Sequence, residues 1–314
     1  MVRLPEMIAI VGPTASGKTH LATALAARLS GEVISADSRQ VYRGMDLGTG
    51  KDLEEYHVDG TDIPFHLIDI VDAGERYTVY DYQRDFLEVY DAMKGRGVLP
   101  IFCGGSGLYL DAVLKGYHLV EVPADEALRE RLSQLNDAEL IARLASLRPL
   151  HNTTDVTDRQ RLTRAIEVAI GQDKAKGQQA DFPQIVCPVF GLNWPRAELK
   201  ERITARLKAR LAEGMLEEVQ RLLDSGLKQE QLTYYGLEYK FLTLHLTGEL
   251  NRNDMIQKLR SAIVGLAKRQ QTWFRRMEKQ GQEIHWLDGA TSLTENLAYI
   301  LQAVGSKHST GTTV

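Results

Sequence analysis

The chain has 314 residues, 43% hydrophobic and 25% charged, with 38 Lys and Arg against 42 Asp and Glu for a formal net charge of −4. That length accommodates one large or two modest domains of about 100–200 residues, with a core that needs neither disulfides nor metals. The charge balance excludes a globally basic nucleic-acid coat, though not local basic faces, and the composition excludes wholesale disorder; only the tail, Gly305 to Val314, reads as frayed.

In chain order, Met7–Val11 is a continuous apolar run ended by Gly12, and Leu21, Ala24, Leu25 and Leu29 then recur at helical spacing. This predicts strand, glycine loop, helix, with the N-terminal run a first strand and not a signal peptide. Glu32–Ala36 reads as a second strand ending at Asp37, and Phe65–Val71 as a third. Thr78, three residues before Asp81, opens a helix to about Lys94, and Val98–Cys103 returns as a strand ended by Gly104 and Gly105. Apolar strands alternating with helices predict an α/β fold with a parallel sheet covered on both faces, and binding groups at the C-terminal ends of its strands.

From about Gly116 to Phe182 the pattern is helical only: Ala124–Leu135, Asn136–Leu147 and Asp158–Ile170. The expected division is therefore a core of residues 1–116 and 184–314 and an all-helical insertion of residues 117–183. The polar run GQDKAKGQQADFP leads back to the sheet. Ile185–Leu192 is a further strand, and Pro195 occupies the first position of a long helix. Helices over about Tyr234–Leu246 and Asp254–Glu278, a closing strand Glu283–Leu287 and a helix capped by Ser292 and Glu295 complete the chain. Cys103 and Cys187 lie far apart in apolar runs and are read as buried free thiols. No apolar stretch reaches the roughly 20 residues needed to cross a bilayer, so the expected compartment is the cytoplasm, without a membrane partner.

The sharpest local signal is Gly12-Pro13-Thr14-Ala15-Ser16-Gly17-Lys18-Thr19, a G-x-x-x-x-G-K-T loop between strand and helix. Such a loop turns backbone N–H groups inward at a helix N-terminus, Lys18 adds a full positive charge, and the Thr19 hydroxyl can hold Mg²⁺. It specifies a polyphosphate without specifying ATP. Asp37, Asp69 and Asp72 are the carboxylates that could reach a metal ion there. Asp37 could instead cap a helix, and Ser106, after Gly104-Gly105, could cap the next one or meet a ligand. Arg202, Arg206 and Arg210 align at four-residue spacing, as a solvated basic face also would.

GPTASGKT, ISADSRQVYRGMDLGTGK, FHLIDI followed by YTVYDY, FCGGSGLYLDAVLKG, DRQRLTRAIEV, RITARLKARLAEGMLEEV and KRQQTWFRR occur in that order over nearly the whole chain. Together they resemble the tRNA dimethylallyltransferase family, also called tRNA isopentenyltransferases. The resemblance implies a P-loop NTPase-like core whose loop grips dimethylallyl diphosphate instead of ATP. It implies Mg²⁺-assisted transfer of the five-carbon group to the N6 amine of the adenosine 3′ of the anticodon, position 37, giving isopentenyladenosine. Asp37 matches the catalytic aspartate and is the expected general base, because the delocalised amine must lose a proton as the carbon–nitrogen bond forms. Lys18, Thr19 and Arg206 match the groups that stabilise the leaving diphosphate.

The resemblance also implies contacts to the tRNA anticodon stem-loop. Asp37, Ser38, Arg39 and Gln40 belong to this set, with Ser106 on the target base, where Thr is commoner. In the insertion it includes Arg129, Gln160, Arg161, Leu162, Thr163 and Arg164. Near the C-terminus it includes Lys268, Arg269, Gln270, Trp273 and Arg275. Trp273 could stack on a base or pack in the core. Two segments depart from the family pattern: its G-T-A-K-P is here Gly48-Thr49-Gly50-Lys51-Asp52, and its G-Y-K/R is Glu238-Tyr239-Lys240. The alternatives are prenyl transfer to free adenine nucleotides, a P-loop small-molecule kinase, and a non-catalytic RNA-binding module that would leave the loop and Asp37 idle. The basic runs of the insertion and the C-terminal helix favour tRNA, bound by a single protein chain.

Overall fold

The computed structural model describes residues 4–150, 158–175 and 182–306. They form two compact units, residues 1–115 with 184–314 and residues 116–183. Residues 176–181, in the middle of the expected link, and residues 307–314 of the expected frayed tail lie outside the described residues.

The larger unit is built on a six-stranded sheet of order β5-β2-β6-β1-β7-β8, with every pairing parallel. Its strands are β1 (Ile8–Val11), β2 (Glu32–Ala36), β5 (Phe65–His66), β6 (Pro100–Gly104), β7 (Val189–Asn193) and β8 (Ile284–Asp288). A short antiparallel ribbon, β3 (His57–Val58) with β4 (Thr61–Asp62), follows a 3₁₀ turn at Leu53–Tyr56. β1, β2 and β6 are buried throughout, as strands covered on both faces must be. Helices α1 (Lys18–Leu29), α2 (Val79–Gly95) and α3 (Gly107–Leu114) follow β1, β5 and β6. Thr78 and Asp81 form the expected reciprocal cap of α2.

Three expected elements differ from those observed. The run Phe65–Val71 pairs with β2 only at Phe65 and His66. Leu67 (φ 62) and Asp69 (φ 56) then turn left-handed, and the Asp69, Ile70 and Val71 N–H groups donate to the Gln40 and Val41 carbonyls of the loop after β2. β7 begins at Val189 instead of Ile185, because Pro188 has no N–H for the ladder and Ile185–Cys187 are not buried. Pro195 precedes the next helix as its cap instead of occupying its first turn. Cys103 is buried, but Cys187 is only partly so; both are free.

The second half of the larger unit adds α7 (Arg196–Ala212), α8 (Met215–Asp224), α9 (Gln229–Tyr234), α10 (Leu237–Leu246), α11 (Arg252–Lys279) and α12 (Leu293–Ser306). Side chains from α7 to α11, among them Ile203, Met215, Leu242 and Leu259, share one apolar core with Val41, Tyr42 and Met45 of the loop after β2. The smaller unit comprises α4 (Glu126–Ser133), α5 (Asp137–Leu147) and α6 (Arg159–Lys174), packed through Leu132, Leu140, Leu144, Leu162 and Ile166. Asn136 and Asp158 cap α5 and α6. Among the described residues, no helix is long and apolar enough to cross a membrane.

Candidate active site

Register brings the candidate groups together. Val11 of β1 and Ala36 of β2 both pair with Gly104 of β6, so the three neighbouring strands end in one row. Gly12, Asp37 and Gly105 therefore leave the same edge of the sheet, where a parallel α/β sheet places its ligand.

The loop after β1 holds a tight turn. Ser16 N–H donates to the Pro13 carbonyl, and Ala15 (φ 61) and Gly17 (φ 87) are left-handed. Gly17 adopts that conformation without cost, as a side chain would not. The turn is braced from outside. Gln270 of α11 accepts the Thr14 N–H at 2.8 Å and donates to the Gly105 carbonyl at 2.9 Å, joining the loops after β1 and β6. Trp194 Nε1 donates to the Ser16 carbonyl and Arg202 Nε to that of Ala15, with the guanidinium 4.1 Å from the Trp194 ring centre. The Ser16 hydroxyl is buried with no partner among the described residues. Burial pulls the Lys18 ammonium below the ordinary lysine range, an effect opposed by Cys103 and Asp37. Thr19 stands at the start of α1, and burial pushes the nearby Cys103 thiol up to about 12.

Asp37 does not cap a helix. Its Oδ1 accepts the Arg39 N–H at 2.9 Å in a turn that fixes the carboxylate just beyond β2, and Oδ2 has no hydrogen bond among the described residues. Ser106 stands at the N-terminus of α3 but makes no cap bond. Its Oγ accepts the Ser38 N–H at 2.9 Å and lies 3.2 Å from Ser38 Oγ, while its own N–H donates to the Ala36 carbonyl. The Asp37 and Ser106 loops are thus tied to each other. Arg39 Nη1 donates to the Tyr234 carbonyl, and its guanidinium lies 5.6 Å from the Tyr234 ring centre.

The three aligned arginines are not a solvated face. Arg202 grips the P-loop, while Arg206 and Arg210 both bind Asp52, Arg210 Nη2 at 2.6 Å from Asp52 Oδ1. Arg206 and Arg210 line one pocket with Thr14, Ala15 and Glu238. Of the other carboxylates considered for a metal, Asp69 binds the fully buried Lys51 and Asp72 pairs with exposed Arg43.

The residues expected to meet tRNA differ in their surroundings. Leu162 is 1% exposed in the core of the helical unit. The Gln40 amide is buried, accepting from Ser35 Oγ and donating to the Gly50 carbonyl. Gln270 serves the two loops, and Trp273 is half-buried with its ring against Gly107, its Nε1 donating to Asp111 of α3. Arg129 and Arg164 converge on the buried Glu167, Arg129 from α4 so tying that helix to α6 and Arg164 from one turn earlier on α6 itself. Gln160 and Arg161 are exposed and Thr163 partly so. Lys268, Arg269 and Arg275 are exposed on α11 and make no side-chain ion pair among the described residues.

A P-loop at the C-terminal edge of a parallel sheet, with a fixed carboxylate on the next-but-one strand and flanking arginines, places the chain among the P-loop enzymes. Comparison with known proteins narrows the class. The family model described as IPP transferase matches residues 40–277, and that described as isopentenyl transferase matches residues 5–71. A relative named tRNA dimethylallyltransferase 2 from Bacteroides fragilis is 52% identical over 297 residues, 95% of this chain and 97% of its own. One of the same name from Trichlorobacter lovleyi is 55% identical over 286 residues, 91% of this chain and 92% of its own. The crystal structure of a tRNA isopentenylpyrophosphate transferase from Bacillus halodurans superposes with a TM-score of 0.70 at 33% identity, covering 96% of this chain and 97% of that one. The chain belongs to the IPP transferase family, a family of prenyltransferases.

Proposed function

We propose that the chain transfers a dimethylallyl group from dimethylallyl diphosphate to the N6 amine of the adenosine 3′ of the tRNA anticodon, position 37. The observation that carries this reading is the single sheet edge from which the P-loop, Asp37 and the Ser38–Ser106 pair all emerge. The loop amides, Lys18 and Arg206 receive the diphosphate. The target adenine enters beside Asp37 and Ser106, with the Ser106 hydroxyl on the base. As the amine nitrogen bonds the allylic carbon, the allylic C–O bond breaks and its electron pair leaves with the diphosphate. The amine proton passes to Asp37, whose Oδ2 is open while Oδ1 is held by the Arg39 N–H. Positive groups fixed where charge develops stabilise the departing diphosphate.

The donor set fits Mg²⁺ shared with the substrate. That ion keeps several waters and binds substrate phosphates with one or two protein oxygens. Thr19 is the residue that would supply one, and the bound ion would neutralise charge on the leaving group. tRNA reaches the site through exposed cations such as Lys268, Arg269 and Arg275, with the target base out of its stack. Asp37→Ala should lower the rate of transfer by about 10²–10⁴-fold, the usual weight of a general base, while tRNA binding persists. Transfer at the normal rate in that variant would remove Asp37 from the reaction.

A further inference from the structure

The two segments that depart from the family pattern meet at one point. Asp52, where the pattern has proline, receives Arg206 at Oδ2 and Arg210 at Oδ1. Gly50, where it has alanine, lies under Arg210: a Cβ there would sit 2.3 Å from Arg210 Nη2. Glu238, where it has glycine, lines the pocket that Arg206 and Arg210 share with Thr14 and Ala15. Asp52 also has φ 45, a conformation closed to proline, whose ring fixes φ near −65°. The three replacements therefore form one local arrangement: room for the Arg210 guanidinium, a carboxylate to hold it, and a second acid facing it.

Two guanidinium groups one helical turn apart repel each other, and burial adds to the cost of their charges. Burial and the neighbouring Arg210 both act against the charge on Arg206, whereas Asp52 supports it. Conversely, Arg206 and Arg210 bring the Asp52 carboxyl below its ordinary range against the effect of burial. We propose that Asp52 is a positioning residue that fixes Arg206 toward the diphosphate site by clamping it to Arg210. Glu238 of α10 lines the same pocket, where burial raises its carboxyl above the ordinary range against the opposing effect of Arg210 and Arg206. This rests on the reading of Arg206 as a diphosphate ligand given above.

The test measures binding of inorganic diphosphate with Mg²⁺ by calorimetry, alongside KM values for dimethylallyl diphosphate and tRNA. Asp52→Asn should weaken diphosphate binding and raise the dimethylallyl diphosphate KM by about tenfold, the lower end of the effect of one charged hydrogen bond, and leave the tRNA KM unchanged. In an Arg206→Gln background the same change should have no further effect, since a residue that acts through Arg206 has nothing left to position. Asp52→Glu, which keeps the carboxylate, should recover part of the affinity. Unchanged or tighter diphosphate binding in Asp52→Asn, or losses that add in the double variant, would overturn the proposal. So would an equal rise in both KM values, the mark of a merely structural role. Diphosphate binding is read without an acceptor, so a chain that bound diphosphate but left tRNA unmodified would fail the proposed function and not this inference.

Discussion

The Glu218 carboxylate accepts the backbone N–H groups of Asp46 and Leu47 at Oε2, and the Gly48 N–H and Tyr239 hydroxyl at Oε1. It is buried on α8, yet it shapes the loop that carries Lys51 and Asp52. Charged acceptors with several donors are among the stronger hydrogen-bonded groups, and losing one leaves every donor unsatisfied. Glu218→Ala should therefore destabilise the protein by about 3 kcal/mol, read as a lowered denaturant midpoint with an unchanged m-value. A change below the scatter of surface substitutions would show that the loop holds its shape without it. Nothing in MLEEVQRLL distinguishes Glu218 from Glu217, because the distinction depends on which chain packs against the helix. The positions of Lys18 and Thr19 after the glycine loop and of Asp37 at a strand end were legible because the strand and glycine-loop pattern around them is local. Asp52 appeared in the sequence only as a missing proline, and its partners on α7 are supplied by the tertiary fold.

At the scale of elements, glycine loops and apolar runs located the strands whose ends build the site, and they erred where backbone pairing overrides side-chain pattern. FHLIDIV has the apolarity of a strand, but Asp69 turns away from the sheet and its carboxylate binds Lys51. The beginning of β2 shows the opposite case, a charged residue inside a buried strand. Glu32 receives both terminal nitrogens of Arg96 at 2.6 and 2.7 Å and lies 2.7 Å from His66 Nε2 on β5. The Arg96 hydrogen bonds, aided by His66 and opposed by burial, hold its carboxyl at about 2 against an ordinary 4.5. Its folded form is thus the stronger acid, so the stabilisation is complete above about 4.5 and is lost as pH falls from there through about 2. The loss should be about 1 kcal/mol, since the half-exposed Arg96 is screened by solvent. Glu32→Gln should flatten the pH dependence of unfolding free energy across that window; an unaltered acid limb would contradict the ion-pair assignment.

Over the whole molecule, the net charge of −4 reflects cations placed in distinct roles. Arg202, Arg206 and Arg210 face the P-loop and Asp52, and Arg129 and Arg164 are held by Glu167 inside the helical unit. Lys268, Arg269 and Arg275 stand exposed on α11. A count of basic residues could not separate these groups, because a buried ion pair and a free cation look alike in sequence. Motif order across nearly the whole chain carried the family and the α/β core with its helical insertion, while the side-chain pairings that brace the site required coordinates. That tRNA is the acceptor is tested most directly by incubating the 314-residue chain with Mg²⁺ and radiolabelled dimethylallyl diphosphate, offering unmodified tRNA, AMP and ATP side by side. Label is expected in tRNA, on the adenosine 3′ of the anticodon; label in AMP or ATP with none in tRNA would contradict the assignment.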